Sequence, residues 1–64
     1  MINIALVIDG KFLSYTADTT LEYFQEYYEN NEYINFVDIP SGVHVYLPKS
    51  YLMEVTELDE EKNK

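Results

Sequence analysis

The chain has 64 residues, which limits it to one small domain with a thin core. Twelve acidic side chains against four lysines give a formal net charge of −8. Because phosphate binding needs clustered Lys and Arg side chains, this balance argues against direct binding of nucleic acid or of anionic membrane surfaces. There is no cysteine for a disulfide or a thiolate metal site, and self-association could take the place of these ways to stabilise so short a chain.

The first residues contain no basic region before their apolar stretch, and the first cation is Lys11. A secretory signal needs such a basic region. No apolar run approaches the ~20 residues of a membrane-spanning helix. We therefore expect a cytoplasmic protein that does not associate with a membrane.

The first predicted element is a β-hairpin. Residues 2–8 alternate, with the largest apolar side chains on every second position, which is typical of a strand with one buried face. Asp9 and Gly10 follow, and this pair favours a two-residue turn because both residues can adopt positive φ. Residues 11–16 would form the returning strand.

A helix is predicted from about residue 20 to residue 30. Thr19 and Glu22 have the spacing of a capping box, in which each side chain bonds to the backbone N–H of the other residue. Asn30 and Asn31 would end the helix, since Asn tolerates the left-handed conformation of a C-terminal cap.

The predicted helix has three chemically different faces. One is apolar and expected in the core, one is acidic and one carries tyrosine: Leu21, Phe24 and Tyr28; Glu22, Glu26 and Glu29; Tyr23 and Tyr27. Neighbouring glutamates would lie roughly 5–6 Å apart and repel, and no lysine on the helix relieves them. The acidic and tyrosine faces must therefore be solvated or contact a partner.

Two or three further strands complete the predicted fold. Residues 33–39 and 43–47 have strand patterns, with a turn at residues 40–42 between them, whereas residues 51–58 fit either a fifth strand or a helical turn. Such short connections force antiparallel pairing. We expect an α+β fold, a small antiparallel sheet of four to five strands with one helix packed on one face, in the order β-β-α-β-β-(β).

The domain organisation follows from the same pattern. Residues 1–58 would form a single α+β domain, and residues 59–64 a disordered acidic tail. One short helix covers only one face of the sheet, so the other face is open or is buried by a second copy. A homodimer is therefore the expected assembly.

Catalytic chemistry is not expected. His44 is the only histidine, and no motif places one of the serines as its nucleophile. There is no metal-ligand spacing and no glycine-rich phosphate loop, so we expect neither a metal ion nor a cofactor.

Tyrosine and acidic residues are the features that a thin core does not explain. Seven tyrosines occur in the chain, and tyrosine is favoured at protein interfaces. The candidate partner-binding residues are Glu22, Tyr23, Glu26, Tyr27, Glu29, Glu32 and Asp38. With these features the chain resembles, in size, charge and surface texture, the small acidic inhibitors that phages and mobile elements direct against host enzymes such as restriction enzymes, uracil glycosylases and CRISPR nucleases. The resemblance implies a DNA-mimic-like inhibitor or adaptor whose partner is a host protein with a basic surface.

Two other functions remain open. The chain could be a homo-oligomeric binder of a small ligand, with Tyr46, His44 and Tyr51 in a pocket between subunits. It could also be an accessory subunit that folds chiefly by self-association and inhibits nothing.

Overall fold

The computed structural model describes residues 1–58, so the predicted disordered tail at residues 59–64 lies outside the described residues. The elements in chain order are β1 (Ile2–Ile8), β2 (Lys11–Ala17), α1 (Leu21–Glu29), β3 (Tyr33–Val37), β4 (His44–Pro48), a 3-10 helix (Lys49–Tyr51) and β5 (Leu52–Glu57). Every strand pair is antiparallel. The α+β class is confirmed. In the segment at residues 51–58, for which the sequence allowed either a strand or a helical turn, the structure has a strand that follows a single 3-10 turn.

The first sheet has the order β2-β1-β5 and is built on the predicted hairpin. Ile8 pairs with Lys11 across the turn, and the two turn residues, Asp9 and Gly10, have φ of 53° and 77°. Both values lie in the left-handed region that this turn requires. The sequence predicted this element correctly because all of its determinants are local.

The expectation of four to five strands in one sheet is wrong, since β3 and β4 form a second sheet of their own. Between β2 and β3 there is a single backbone hydrogen bond, in which the Ile39 N–H donates to the Thr16 carbonyl at 2.8 Å. The Thr16 N–H donates instead to the Asp38 carboxylate at 3.0 Å. A side chain thus takes the place of the next ladder bond, and β3 ends at Val37 rather than at the predicted residue 39.

The core lies between the two sheets and the inner face of α1. Its fully or almost fully buried apolar residues are Ile2, Ile4, Leu6, Ala17, Phe24, Ile34, Phe36 and Val45. The rings of Phe24 and Phe36 meet edge to face, with centroids 6.1 Å apart, and this contact joins the helix to the second sheet. The apolar faces predicted for β1 and for the helix are confirmed.

The helix begins one residue later than predicted. Thr20 is the N-cap, with extended backbone angles, and its hydroxyl accepts the Tyr23 N–H at 3.1 Å. The capping box predicted for Thr19 and Glu22 is wrong. Both adjacent threonines carry a hydroxyl that can accept a backbone N–H. The cap is Thr20, because the N–H three residues after it, that of Tyr23, is the one that bonds to a threonine hydroxyl.

The helix ends without the predicted left-handed cap. Asn30 has φ of −106°, and the side-chain amides of Asn30 and Asn31 donate to carbonyls one turn earlier, each at 2.8 Å. The Lys49 ammonium, from the 3-10 helix, donates to the Tyr28 carbonyl at 2.9 Å. Three side chains therefore donate to last-turn carbonyls, and the Tyr27 carbonyl also accepts the Asn30 N–H at 3.2 Å.

Candidate partner-binding surface

The acidic face of α1 consists of Glu22, Glu26 and Glu29, and all three side chains are exposed. The core contacts of Phe24 turn this face away from the sheets. Within residues 1–58, none of the three carboxylates takes part in an ion pair or an ordered hydrogen bond. Their negative charge is therefore presented to solvent, and no cation of residues 1–58 is paired with it.

Glu32 lies beyond the helix and is also exposed. It lines a shallow groove together with Glu29, and Lys49 lines the same groove. The Lys49 N–H donates to the Glu32 carbonyl at 3.0 Å. A described cation, Lys49, therefore lies beside the C-terminal end of the acidic face.

Tyr23 and Tyr27 lie on the flank of the acidic face. Tyr23 is 67% exposed, whereas Tyr27 is half-buried. Both line two depressions, a shallow one shared with Glu26 and a deeper one beside β3. The structure therefore brings the two predicted tyrosines next to the predicted glutamates.

Asp38 does not join this surface. It is 7% exposed, and its carboxylate accepts hydrogen bonds from the Ser41 hydroxyl at 2.7 Å, the Thr16 N–H at 3.0 Å and the Ser41 N–H at 3.3 Å. These bonds, that of the Ser41 hydroxyl above all, hold the pKa of Asp38 below its usual value, although burial opposes them. Asp38 holds the turn and the junction of the two sheets together.

The deeper depression, which we call the β3 groove, has a volume of about 360 Å³. It is bounded by the last residue of β2 and the two that follow it (residues 17–19), by Tyr23 and Tyr27 of α1, and by residues 35–37 of β3. Phe24 and Phe36 reach it from the core. The groove exists because the two sheets separate after the Ile39–Thr16 bond. No local sequence pattern predicts this separation.

A second aromatic surface covers the outer face of the second sheet. The rings of Tyr33 and Tyr46 are stacked, with centroids 5.2 Å apart and planes 8° from parallel, and both are exposed. The side chains of His44 and Asn35 are hydrogen-bonded beside them. Tyr46 and His44 are candidates from the sequence for a pocket, whereas Tyr33 and Asn35 are not, although the period-two alternation in β3 places both on this face.

Within residues 1–58, no group of three or more His, Cys, Asp or Glu side chains is arranged to hold a metal ion. No helix in the same part of the chain is long and apolar enough to cross a membrane.

Comparison of the chain with protein-family models, with curated proteins and with solved structures gives no match. Function must therefore be inferred from the surfaces described above.

Proposed function

We propose that the protein is a small inhibitor or adaptor that binds a partner protein, and that it occupies a basic, nucleic-acid-binding surface of that partner. The observation that carries the proposal is the acidic face, three exposed carboxylates on one side of α1 with no cation of the described chain paired to them. A regular row of anions on a rigid helix offers a basic groove what a run of phosphates would offer it.

The cost of this arrangement supports a functional role. Like charges three and four positions apart on a helix destabilise it by a few tenths of a kcal/mol per pair. A protein of this size has a free energy of unfolding of about 3–10 kcal/mol, so the cost is a noticeable share. A cation at one of these positions would remove the repulsion, and binding to a basic surface removes it as well.

The flanking tyrosines supply what charge alone does not. Charge complementarity mainly accelerates association and selects the partner, whereas buried aromatic anchors contribute most of the affinity. Tyr23 is exposed enough to enter a pocket of the partner. The protein should therefore associate rapidly with its partner and bind it less tightly as the salt concentration rises. Slow dissociation of the complex should depend on Tyr23.

The first test reverses two charges of the acidic face. We expect Glu26→Lys combined with Glu29→Lys to reduce capture of the partner from a host-cell lysate by at least about tenfold, because attraction becomes repulsion. The matched control is Glu54→Lys combined with Glu57→Lys, which changes the net charge equally at the same spacing on β5, where both glutamates are exposed. Circular dichroism would show that both variants fold.

The comparison of the two variants decides the proposal. Capture should be lost in the helix variant, be kept in the β5 variant, and be reversed by salt or by duplex DNA in the wild type. Equal loss in both variants would mean that only the net charge matters. Unchanged capture in the helix variant would refute the proposed function.

A further inference from the structure

The outer edge of β3 has backbone groups that the sheet does not use. The Asp38 N–H donates to the Val43 carbonyl, and the Lys49 N–H donates to the Glu32 carbonyl, at the two ends of the β3–β4 ladder. Hydrogen-bonded and non-hydrogen-bonded pairs alternate along an antiparallel ladder. Even-numbered residues of β3 therefore bond to β4, and the backbone groups of Tyr33, Asn35 and Val37 point away from it.

The same alternation places these groups on the side of the β3 groove. Ile39 continues the odd-numbered set, and its N–H is the one that reaches Thr16 of β2. Below that bond the sheets separate, and Asn35 and Val37 line the groove together with the helix. Among residues 1–58, no group is hydrogen-bonded to the backbone N–H of either residue from this side. The groove thus has one wall made of free strand edge.

The chemistry of the groove selects the occupant. Its floor contains the rings of Phe24 and Phe36, and Asp18 is the only charged side chain of the described residues that lines it. Glu26, which lines the neighbouring depression together with Tyr23 and Tyr27, adds negative charge next to the groove. An apolar side chain fits the floor, and a cationic side chain fits the rim.

We propose that an extended segment of a partner protein, with alternating apolar and cationic side chains, adds as a strand to the outer edge of β3 and fills the β3 groove. Strand addition of this kind takes its affinity from backbone hydrogen bonds and its specificity from alternate side chains. The inference rests on the proposed function, because it supplies the peptide contact of the same basic partner.

A second copy of this chain is a poorer occupant of the edge. Pairing two β3 edges would bring together two chains that each carry a formal charge of −8. It would also place the acidic rim of one groove against that of the other, and like charges opposed at an interface are destabilising. A cationic strand meets no such repulsion.

The test uses two peptides and the intact protein. The first peptide is short, capped at both ends, and alternates valine with lysine. The second is identical in sequence but is methylated on alternate backbone nitrogens, so it keeps its charge and cannot form a full set of edge bonds. We expect the first to bind at least roughly tenfold more tightly, and the largest amide shifts in NMR titration to be those of Asn35 and Val37.

A proline variant tests the edge from the protein side. Val37→Pro removes an N–H that points into the groove, and proline is tolerated where the strand edge is free. Its matched control is Phe12→Pro on β2, because Phe12 is 72% exposed and the hairpin register also points its N–H away from the neighbouring strand. Val37→Pro should lose about tenfold in affinity for the first peptide, and Phe12→Pro should keep it.

Three other results would overturn the inference. Equal binding of the two peptides, with shifts confined to α1, would show attraction to the acidic face alone and leave the proposed function standing. Absence of binding would exclude the stated peptide chemistry. A concentration-dependent dimer that Val37→Pro abolishes would assign the edge to a second copy. Failure of Val37→Pro to fold leaves the decision to the peptide pair on the wild-type protein.

Discussion

Asp38 shows how a single carboxylate can connect the two sheets. It accepts the Thr16 N–H of the first sheet and, with its other oxygen, the Ser41 hydroxyl of the turn that follows β3. Its own backbone also takes part, since the Asp38 carbonyl accepts the Gly42 N–H at 2.7 Å. Gly42 has φ of 76°, which glycine adopts without strain. The side chain and the turn therefore hold each other in place.

The pKa of Asp38 makes this connection sensitive to acid. Because the pKa is lower in the folded than in the unfolded state, where it is near 3.8, the stabilisation is complete above that value and is lost as the pH falls through the folded-state pKa. We expect Asp38→Asn to lower the urea midpoint at pH 7 and to flatten the fall in stability between about pH 5 and pH 2. Urea titrations across this range would measure both effects.

Asp18→Asn is the control for this prediction. Asp18 is exposed, so the substitution removes the same charge as Asp38→Asn without removing the hydrogen bonds of Asp38. If Asp18→Asn flattened the acid transition as much as Asp38→Asn, the effect would belong to net charge and not to the junction of the sheets.

Asp9 and Asp38 show what the sequence could and could not predict at single residues. Asp9 was assigned correctly because its partner in the turn is the next residue. The sequence predicts an exposed acidic patch that includes Asp38, because the charge of Asp38 is the only signal that the sequence offers. Its role depends on Thr16, which is distant in the chain and comes close only after folding.

The two ends of α1 are capped by side chains that lie at different distances along the chain from the helix. At its start, the Thr20 hydroxyl accepts an N–H three residues later. At its end, Lys49 reaches a last-turn carbonyl from another element, although the helix has no basic residue in its own last turn. The first kind of cap can be predicted from sequence to within one residue, and the second cannot.

Removal of the N-terminal cap should be measurable. We expect Thr20→Ala to lower the free energy of unfolding by about 1 kcal/mol, because the Tyr23 N–H loses its acceptor. Thr19→Ala is the matched control, and it should have a clearly smaller effect because its hydroxyl does not cap the helix. Denaturant titration of the two variants would measure the difference, and a larger loss in Thr19→Ala would place the cap where the capping box predicted it.

At the scale of elements, the strands were predicted from alternation and the division into two sheets was not. Alternation gives the buried face of each strand, as in β1 and β3, because it depends only on neighbouring positions. At the junction of β2 and β3 the Thr16 N–H bonds to the Asp38 side chain, a contact that neighbouring positions in the sequence do not reveal. That junction creates the β3 groove, so the acidic half of the candidate surface was predictable and the groove was not.

At the scale of the molecule, the net charge acts on folding and on binding with opposite signs. A formal charge of −8 on so small a protein disfavours the compact state through self-repulsion. The same field attracts a basic partner from a distance. Salt screens both, since the Debye length falls from about 30 Å at 0.01 M to about 8 Å at 0.15 M. Added salt should therefore stabilise the protein and slow its association with the partner.

The size of the stabilising effect follows from the acidic face. Two repelling pairs, Glu22 with Glu26 and Glu26 with Glu29, cost the helix about 0.5 kcal/mol in total at low salt. Screening them should raise the midpoint of thermal unfolding by about 2–4 °C, with other charges adding to this. Calorimetry at 0.01 M and 0.15 M sodium chloride would measure the rise, and stopped-flow mixing with the captured partner would measure the fall in the association rate.

Glu26→Gln is the variant that connects the two measurements. Glu26 belongs to both pairs, and glutamine keeps the shape and the helix propensity of the side chain. The variant should be more stable than the wild type at low salt, gain less from added salt, and associate more slowly with the partner. A variant that gains stability while its association rate and salt dependence stay unchanged would show that the acidic face is solvated only, because a surface that guides the partner cannot lose a central charge without a change in rate.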